Sequence, residues 1–308
     1  MPGIDIVWAS GTAGTYVRSQ DGGRTWRVGV VAGAEALDFR DVHAFDADHA
    51  LLMSAGSPAR IYQTADGGAT WQLHHHDDRP EIFLNCMAFW DHRHGVIVGD
   101  PIDGAFVVLR TEDGGTTWRS ATAPPQALEG EAGFAASGTC VCTGAPTHAW
   151  FGTGGAIARV WRSTDFGNRW TPSTTPMAAS PTSGVFSLAF TPDQHGIAVG
   201  GDFKQVHRAV DNLAVSPDGG LTWTRSPGPG LSGFREAVAP RPGPVGGEIW
   251  SVGPSGADVS YDSGRSWRPI PDGPQAHAIA FAPDGSKAYA VGGEGGVTVI
   301  TFPSHRSR

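Results

Sequence analysis

The residues able to do chemistry are scattered and few in kind. Six aspartates stand in near-identical surroundings: Asp21, Asp66, Asp113, Asp165, Asp218 and Asp262. A carboxylate can act as acid, base or nucleophile. A catalytic group is needed once, so six copies read as a structural device. His74-His75-His76-Asp77-Asp78 and His92-Arg93-His94 carry the donor types of a transition-metal site. The first follows a repeated turn at a sheet edge and the second sits in a surface turn, so no metal and no cofactor is expected. Cys86, Cys140 and Cys142 read as three thiols without framework spacing, which fits a reducing cytoplasm. Cys140-Val141-Cys142 is expected to turn both sulfurs into the core from one face of an inner strand. No Gly-rich phosphate loop, Gly-x-Ser-x-Gly elbow or His-Glu-x-x-His occurs.

The elements that must position these residues follow from a repeat. Each of the six aspartates lies in an octet, Ser/Thr-x-Asp-x-Gly-x-Thr-Trp, exemplified by Thr64-Ala-Asp66-Gly-Gly68-Ala-Thr70-Trp71. Ser163-Thr-Asp165-Phe-Gly167-Asn-Arg169-Trp170 departs from it with Arg in place of Thr, and the last copy has Ser266 there. Successive octet tryptophans are 45, 47, 52, 53 and 44 residues apart. An upstream phrase also recurs, as in Phe89-Trp-Asp-His-Arg-His-Gly95-Val-Ile-Val-Gly99 and Phe190-Thr-Pro-Asp-Gln-His-Gly196-Ile-Ala-Val-Gly200. Each unit reads strand, turn, strand ending in Gly, loop, strand, octet turn, strand. Four short strands at this period make a β-propeller blade. The expected fold is all-β, a single seven-bladed propeller of four-stranded antiparallel blades over 1–308, with blades near 4–28, 34–73, 82–120, 132–172, 183–225, 233–270 and 276–302. The first unit lacks room for an innermost strand and the last has no octet. Closure therefore leaves six or eight blades as alternatives.

Composition agrees. The chain has 308 residues, 44 Gly, 23 Pro and 11 Trp, enough turn formers and aromatic area for a large β core. A net charge of −8 without a basic block excludes a dedicated nucleic-acid binder. No apolar run reaches the roughly 20 residues of a membrane helix, and no signal peptide is visible at Met1.

The octet resembles the Asp-box, or BNR, repeat of sialidases, sortilin-type receptors and photosystem II assembly factors. The octet together with the longer upstream phrase is most similar to the photosystem assembly-factor-like group. That resemblance implies a propeller whose Asp boxes sit at the blade periphery, away from the ligand face. It implies no particular activity, since one propeller hosts many functions. Against sialidases, Phe39-Arg40-Asp41-Val42 and Phe234-Arg235-Glu236-Ala237 echo an early Arg motif but lack its Pro. Tyr16, Tyr62 and Tyr261 lie beside or within octets and Tyr289 on a second strand, so none is placed as a central nucleophile.

If the octet joins third and fourth strands, the opposite face collects the remaining loops around the channel mouth, a common ligand position. That places Arg40, Asp41, Glu81, Asn85, Glu131 and Arg235 before first strands, and Asp100, Arg159, Asp202, Lys204 and His207 between second and third strands. Arginines there could fork a carboxylate or phosphate, and paired carboxylates could act as acid and base. Gly200–Asn212 is the longest such loop and the best candidate for specificity. The small-residue segment Glu131–Thr139 could admit a ligand close to the backbone. The expected function is a soluble binding or assembly module with a protein partner at the channel mouth. The alternative is an enzyme acting there on a small molecule or glycan, glycoside hydrolase-like or lyase-type.

Overall fold

The computed structural model describes residues 3, 5–191, 194–243 and 247–303. Met1, Pro2, Ile4, Pro192 and Asp193, which fall within the segments read above, lie outside these. Seven antiparallel sheets form a seven-bladed β-propeller, which removes the six- and eight-bladed alternatives. Blade 3 is representative, with strands Leu84–Phe89, Gly95–Ile102, Ala105–Thr111 and Arg119–Ser120 from the channel outward. Blades 2, 4 and 6 have the same order. Among the described residues, blade 1 has three strands (Val7–Ser10, Thr15–Ser19, Arg27–Val30) and lacks the innermost. Blade 7 has three (Ala278–Phe281, Lys287–Val291, Val297–Thr301) and lacks the outermost among the described residues.

Two expectations are corrected. The inner strand of blade 4 begins at Val141, not at 132. Glu131–Ala132 instead pairs with Gly154–Gly155, and Gly154 pairs with Gly184 on the inner strand of blade 5, Ser183–Phe190. Glycine permits this crossing: a Cβ on Gly154 would meet the Gly184 Cα at 2.6 Å. The thiol count also changes. Cys86 and Cys140 form a disulfide between blades 3 and 4, leaving Cys142 as the free cysteine among the described residues. Three free thiols, from which a reducing compartment is expected, are thus one thiol and one disulfide. Nor do Cys140 and Cys142 share one environment. Cys140 belongs to the core between blades 3 and 4, whereas Cys142 packs against Trp150 and its neighbours, where burial pushes its thiol up to about 12.

Each octet turns between third and fourth strands, and the polar residues build it in one way. In blade 3, Thr111 Oγ1 accepts from Gly115 N–H (2.9 Å) and donates to Asp113 Oδ1 (2.8 Å). Asp113 accepts from Thr117 N–H (2.9 Å) and from the Thr117 hydroxyl (2.7 Å). The second octet glycine has positive φ, 91° at Gly115, which an L side chain resists. In blade 2 the Thr70 hydroxyl and amide hold the Asp66 carboxyl down at about 2.

The same turn seals the blades to one another. The octet carbonyl region of each blade accepts a side-chain donor from the blade before it. Arg18 reaches Gly67 O (3.0 Å), Gln63 reaches Gly114 O (3.2 Å), and Trp150 Nε1 reaches Gly219 O (2.8 Å). Arg110 donates to Phe166 O and Ser226 to Arg265 O. Blade 7 has no octet, and Arg241 of blade 6 donates instead to Gly285 O in its first turn (2.8 Å). Lys287 of blade 7 closes the ring on Gly22 O (3.3 Å) and Asp5 (3.6 Å).

Replacing Asp113 with Ala leaves turn amides and Thr117 without their acceptor and should cost about 1–2 kcal/mol in denaturant unfolding. Asp165→Ala should cost less, because Arg169 offers Asp165 an amide but no hydroxyl. Equal losses would refute this account of the turn.

Candidate functional site

The face opposite the octets does not gather the expected residues into one pocket. It divides them into a buried set and a surface set. Inner strands of blades 2, 3 and 5 each carry a bulge, between Phe39 and Asp41, Leu84 and Cys86, and Val185 and Ser187. A bulge inserts one residue and re-aims its neighbours. Arg40 therefore faces out while Asp41 turns in and accepts from Met87 N–H of blade 3 (2.6 Å). Burial pushes the Asp41 carboxyl up to about 7, against the Met87 and Val42 amides that favour its charge. Ser187 bridges blades in the same way, accepting from Val238 N–H (3.0 Å).

The arginine forks are likewise consumed. Arg159 pairs with Glu131 through Nε (2.9 Å) and Nη2, and its guanidinium lies 4.6 Å from the Trp161 ring centroid. Burial works against the Glu131 charge, but Arg159, the Thr153 hydroxyl and the Leu128 amide outweigh it and hold that carboxyl below its ordinary value. Arg235 is fully buried. Its donors go to Asp258 (2.7 and 2.6 Å), Phe234 O (2.8 Å), Ser255 (2.7 Å) and Ser232 (2.7 Å), leaving no fork for a ligand. Asn85 is buried and donates to Asp100 (3.0 Å).

What reaches solvent is arranged around Glu131–Thr139, which lies across the channel mouth. Gly133 N–H donates to Asp100 (2.9 Å), Ala135 O accepts from Arg40 (3.1 Å), and Thr139 bonds Ser187 (2.6 Å). Gly138 rests on Asp41, where a Cβ would meet Oδ1 at 2.6 Å. The small residues thus serve close packing on the inner strands. On one side of this segment is an open depression of about 440 Å³, lined by Glu81, Asp100, Leu128, Glu129 and Glu131 among others. Burial raises the Asp100 carboxyl, while Asn85 and the Gly133 amide pull it down. On the other side Phe134 stacks on Phe186 at 4.1 Å, and Phe203, 37 % exposed, extends this cluster at 6.3 Å.

Phe203 opens the loop of blade 5, and Lys204 Nζ lies 5.4 Å from its ring. Asp202 anchors that loop through Lys204 N–H (2.9 Å) and Gln205 (3.0 Å), and His207 is exposed on it. Further round, His277 bonds Glu236 (2.7 Å), and that carboxylate raises the imidazole above its ordinary value against burial and the Arg40 charge. Sequence reasoning missed Phe134, Phe203 and Glu129. The aromatic residues at either end of two glycine-containing loops were the available signal.

The two histidine groups make separate local contacts. His74 bonds Thr116 O (2.9 Å) on the outer strand of blade 2, and His94 bonds Asp91 (2.9 Å) in a turn. Among the described residues, no cluster of three or more His, Cys, Asp or Glu is arranged to hold a metal. No described helix is long and apolar enough to cross a membrane.

No protein-family model matches this chain, and no curated protein does. Solved structures do. YCF48 bound to a D1 peptide superposes with a TM-score of 0.69 at 18% identity, over 98% of this chain and 92% of that one. YCF48 from Cyanidioschyzon merolae gives 0.68 at 16% identity, over 96% and 92%. The Pan2 WD40 domain of Neurospora crassa gives 0.64 at 11%, over 97% and 87%. At these identities the likeness is one of fold.

Two outcomes follow from the buried charges. Asp41 keeps its proton up to about 7 when folded but titrates near 3.8 when unfolded, so folding takes up a proton between those values. Stability should fall as pH rises through that window, and Asp41→Asn should lack that component in denaturant titrations at several pH values. Parallel pH profiles would refute it. Arg159→Ala strands the Glu131 carboxylate and should cost about 3–5 kcal/mol, and adding Glu131→Ala should recover part of the loss. Strict additivity in that cycle would show the pair is not coupled.

Proposed function

We propose that the chain is a protein-binding or assembly propeller that captures a segment of a partner on the channel-mouth face. The observation that carries this reading is the pairing of an aromatic cluster, in which exposed Phe203 and half-buried Phe134 lie over buried Phe186, with an acidic depression across the Glu131–Thr139 segment. An apolar anchor flanked by charge is the make-up of a recognition surface, with most of the energy in the anchor. Glu81, Asp100 and Glu129 suit a partner segment carrying Lys or Arg. The arginine–carboxylate pairs that might have done acid–base work are already committed to each other. A propeller of the same fold bound to a peptide, YCF48 with its D1 segment, supports the reading. Asp100 favours a second one: a carboxyl that burial raises above its ordinary value, at the edge of a depression, could serve as an acid on a small molecule or glycan.

Peptides selected from a random library against the intact protein should combine an aromatic or large aliphatic residue with a basic one. Phe203→Ala should weaken them about tenfold or more without moving the thermal midpoint. Equal affinity for both proteins would reject this face. Turnover of a glycan or small metabolite, abolished by Asp100→Asn, would establish the second reading.

A further inference from the structure

Among the described residues, blades 2–6 each carry a fourth, outer strand, and blade 7 does not. Its third strand, Val297–Thr301, is therefore a sheet edge. The direction of its backbone groups can be read from the flanking bonds. Phe302 N–H donates to Ser286 O (2.9 Å) and Gly292 N–H to Gly296 O (2.9 Å). Thr298 and Ile300, in register with Ala290 and Ala288, share that inward phase. Val297, Val299 and Thr301 therefore turn their N–H and C=O groups away from the sheet. Among the described residues these groups have no partner.

Proteins commonly blunt such an edge with Lys, Pro, a bulge or a covering element. This one reads Val-Thr-Val-Ile-Thr, β-branched throughout and uncharged, with regular pairing to Lys287–Val291. The sheets on both sides extend one strand further out, through Arg268–Pro269 in blade 6 and Arg27–Val30 in blade 1. The edge thus sits in a notch about one strand spacing deep, some 4.8 Å. A notch of that depth admits a single extended chain and hinders the edge of a second propeller.

The surroundings give the occupant a chemistry. At the end where Thr301 lies opposite Lys287, the carboxylates of Asp5, Asp21 and Asp284 all act on the Tyr289 phenol. Lys287 answers Asp5 at 3.6 Å. Arg241, which lies over Phe302 at this end, is paired with Glu248, so the three aspartates against Lys287 leave that end negative. Val299 and Tyr289 face the seam toward Gly23 of blade 1, so one side of an added strand meets apolar and aromatic surface. The Tyr289 hydroxyl is buried there without a hydrogen-bond partner among the described residues.

We infer that Val297–Thr301 takes up one extended strand of a partner protein, β-branched or apolar at alternate positions and carrying Lys or Arg at the end that meets Asp5 and Asp284. This site is separate from the channel-mouth face and does not depend on it. Main-chain bonds would supply affinity, and the alternate side chains and the acidic end would supply selectivity.

The probe is an acetylated synthetic heptapeptide of alternating Val and Thr with one terminal Lys, added to the full chain. Hydrogen exchange should show the Val297, Val299 and Thr301 amides slowed about tenfold on peptide addition, with the channel-mouth amides unchanged. Val299→Pro removes an outward N–H without breaking a ladder bond, so it should abolish binding at an unaltered thermal midpoint. Should that variant misfold, the same peptide N-methylated on alternate amides makes the equivalent cut from the other side and should fail to bind. Exchanging the terminal Lys for Glu should weaken binding about tenfold. Unchanged edge amides, or full binding by the methylated peptide in both alternate registers, would overturn the proposal. A dimer in sedimentation with these amides already protected would overturn it too, by showing that a second copy fills the notch.

Discussion

The structure depends on one recurring contact, a side chain of one blade donating to a turn carbonyl of the next. Sheets stacked around an axis have little to fix their angle except the packing of their faces. The octet supplies a rigid corner whose carbonyls point at the neighbouring sheet. The donors differ: Arg18, Gln63, Arg110, Trp150, Ser226, Arg241 and Lys287. In five of the seven the acceptor is the carbonyl of the fourth octet residue. A buried carbonyl must find a donor, so the geometry persists while the sequence that satisfies it drifts. The octet is therefore conserved within the chain more strictly than the residues it meets.

The inner ring solves a different problem. Short strands near the axis converge, and their loops bring charged residues into tight quarters. Here the charges are spent on one another: Glu131 with Arg159, Asp258 with Arg235, Glu248 with Arg241. Such pairs do not add much net stability over apolar packing, but breaking one leaves a stranded charge, so they fix which loop lies where. The Glu131–Thr139 segment is held over the mouth by this means and by glycines that let it rest on the strands beneath. The surface left for recognition is what these commitments do not use.

The fold was legible because it is written six times. The octet names a turn, its period names the blade, and the missing first-unit strand and missing last octet showed in the spacing. The site was much less legible. Loop membership can be read from a repeat, but side-chain direction cannot, and a bulge of one residue decides it. Arg40 and Asp41 are neighbours with opposite fates for that reason. Arg235 looked like a ligand fork because Asp258, which claims it, stands 23 residues away on a different strand. The disulfide was hidden similarly, its cysteines lying in separate blades 54 residues apart. Phe203 and Phe134 carried no motif and became visible only when two loops met.

Closure by the Lys287 contact has a topological corollary. Every seam has a side chain of one blade on a turn carbonyl of the next, whereas a strand shared by two ends of the chain would replace that contact at one seam. The donor–carbonyl contacts then do not single out where the polypeptide must be cut. A circularly permuted gene that opens at blade 4 and links blade 7 to blade 1 would present the same succession of corners and donors. Such interchangeability is what tandem duplication of a single ancestral hairpin pair would leave behind.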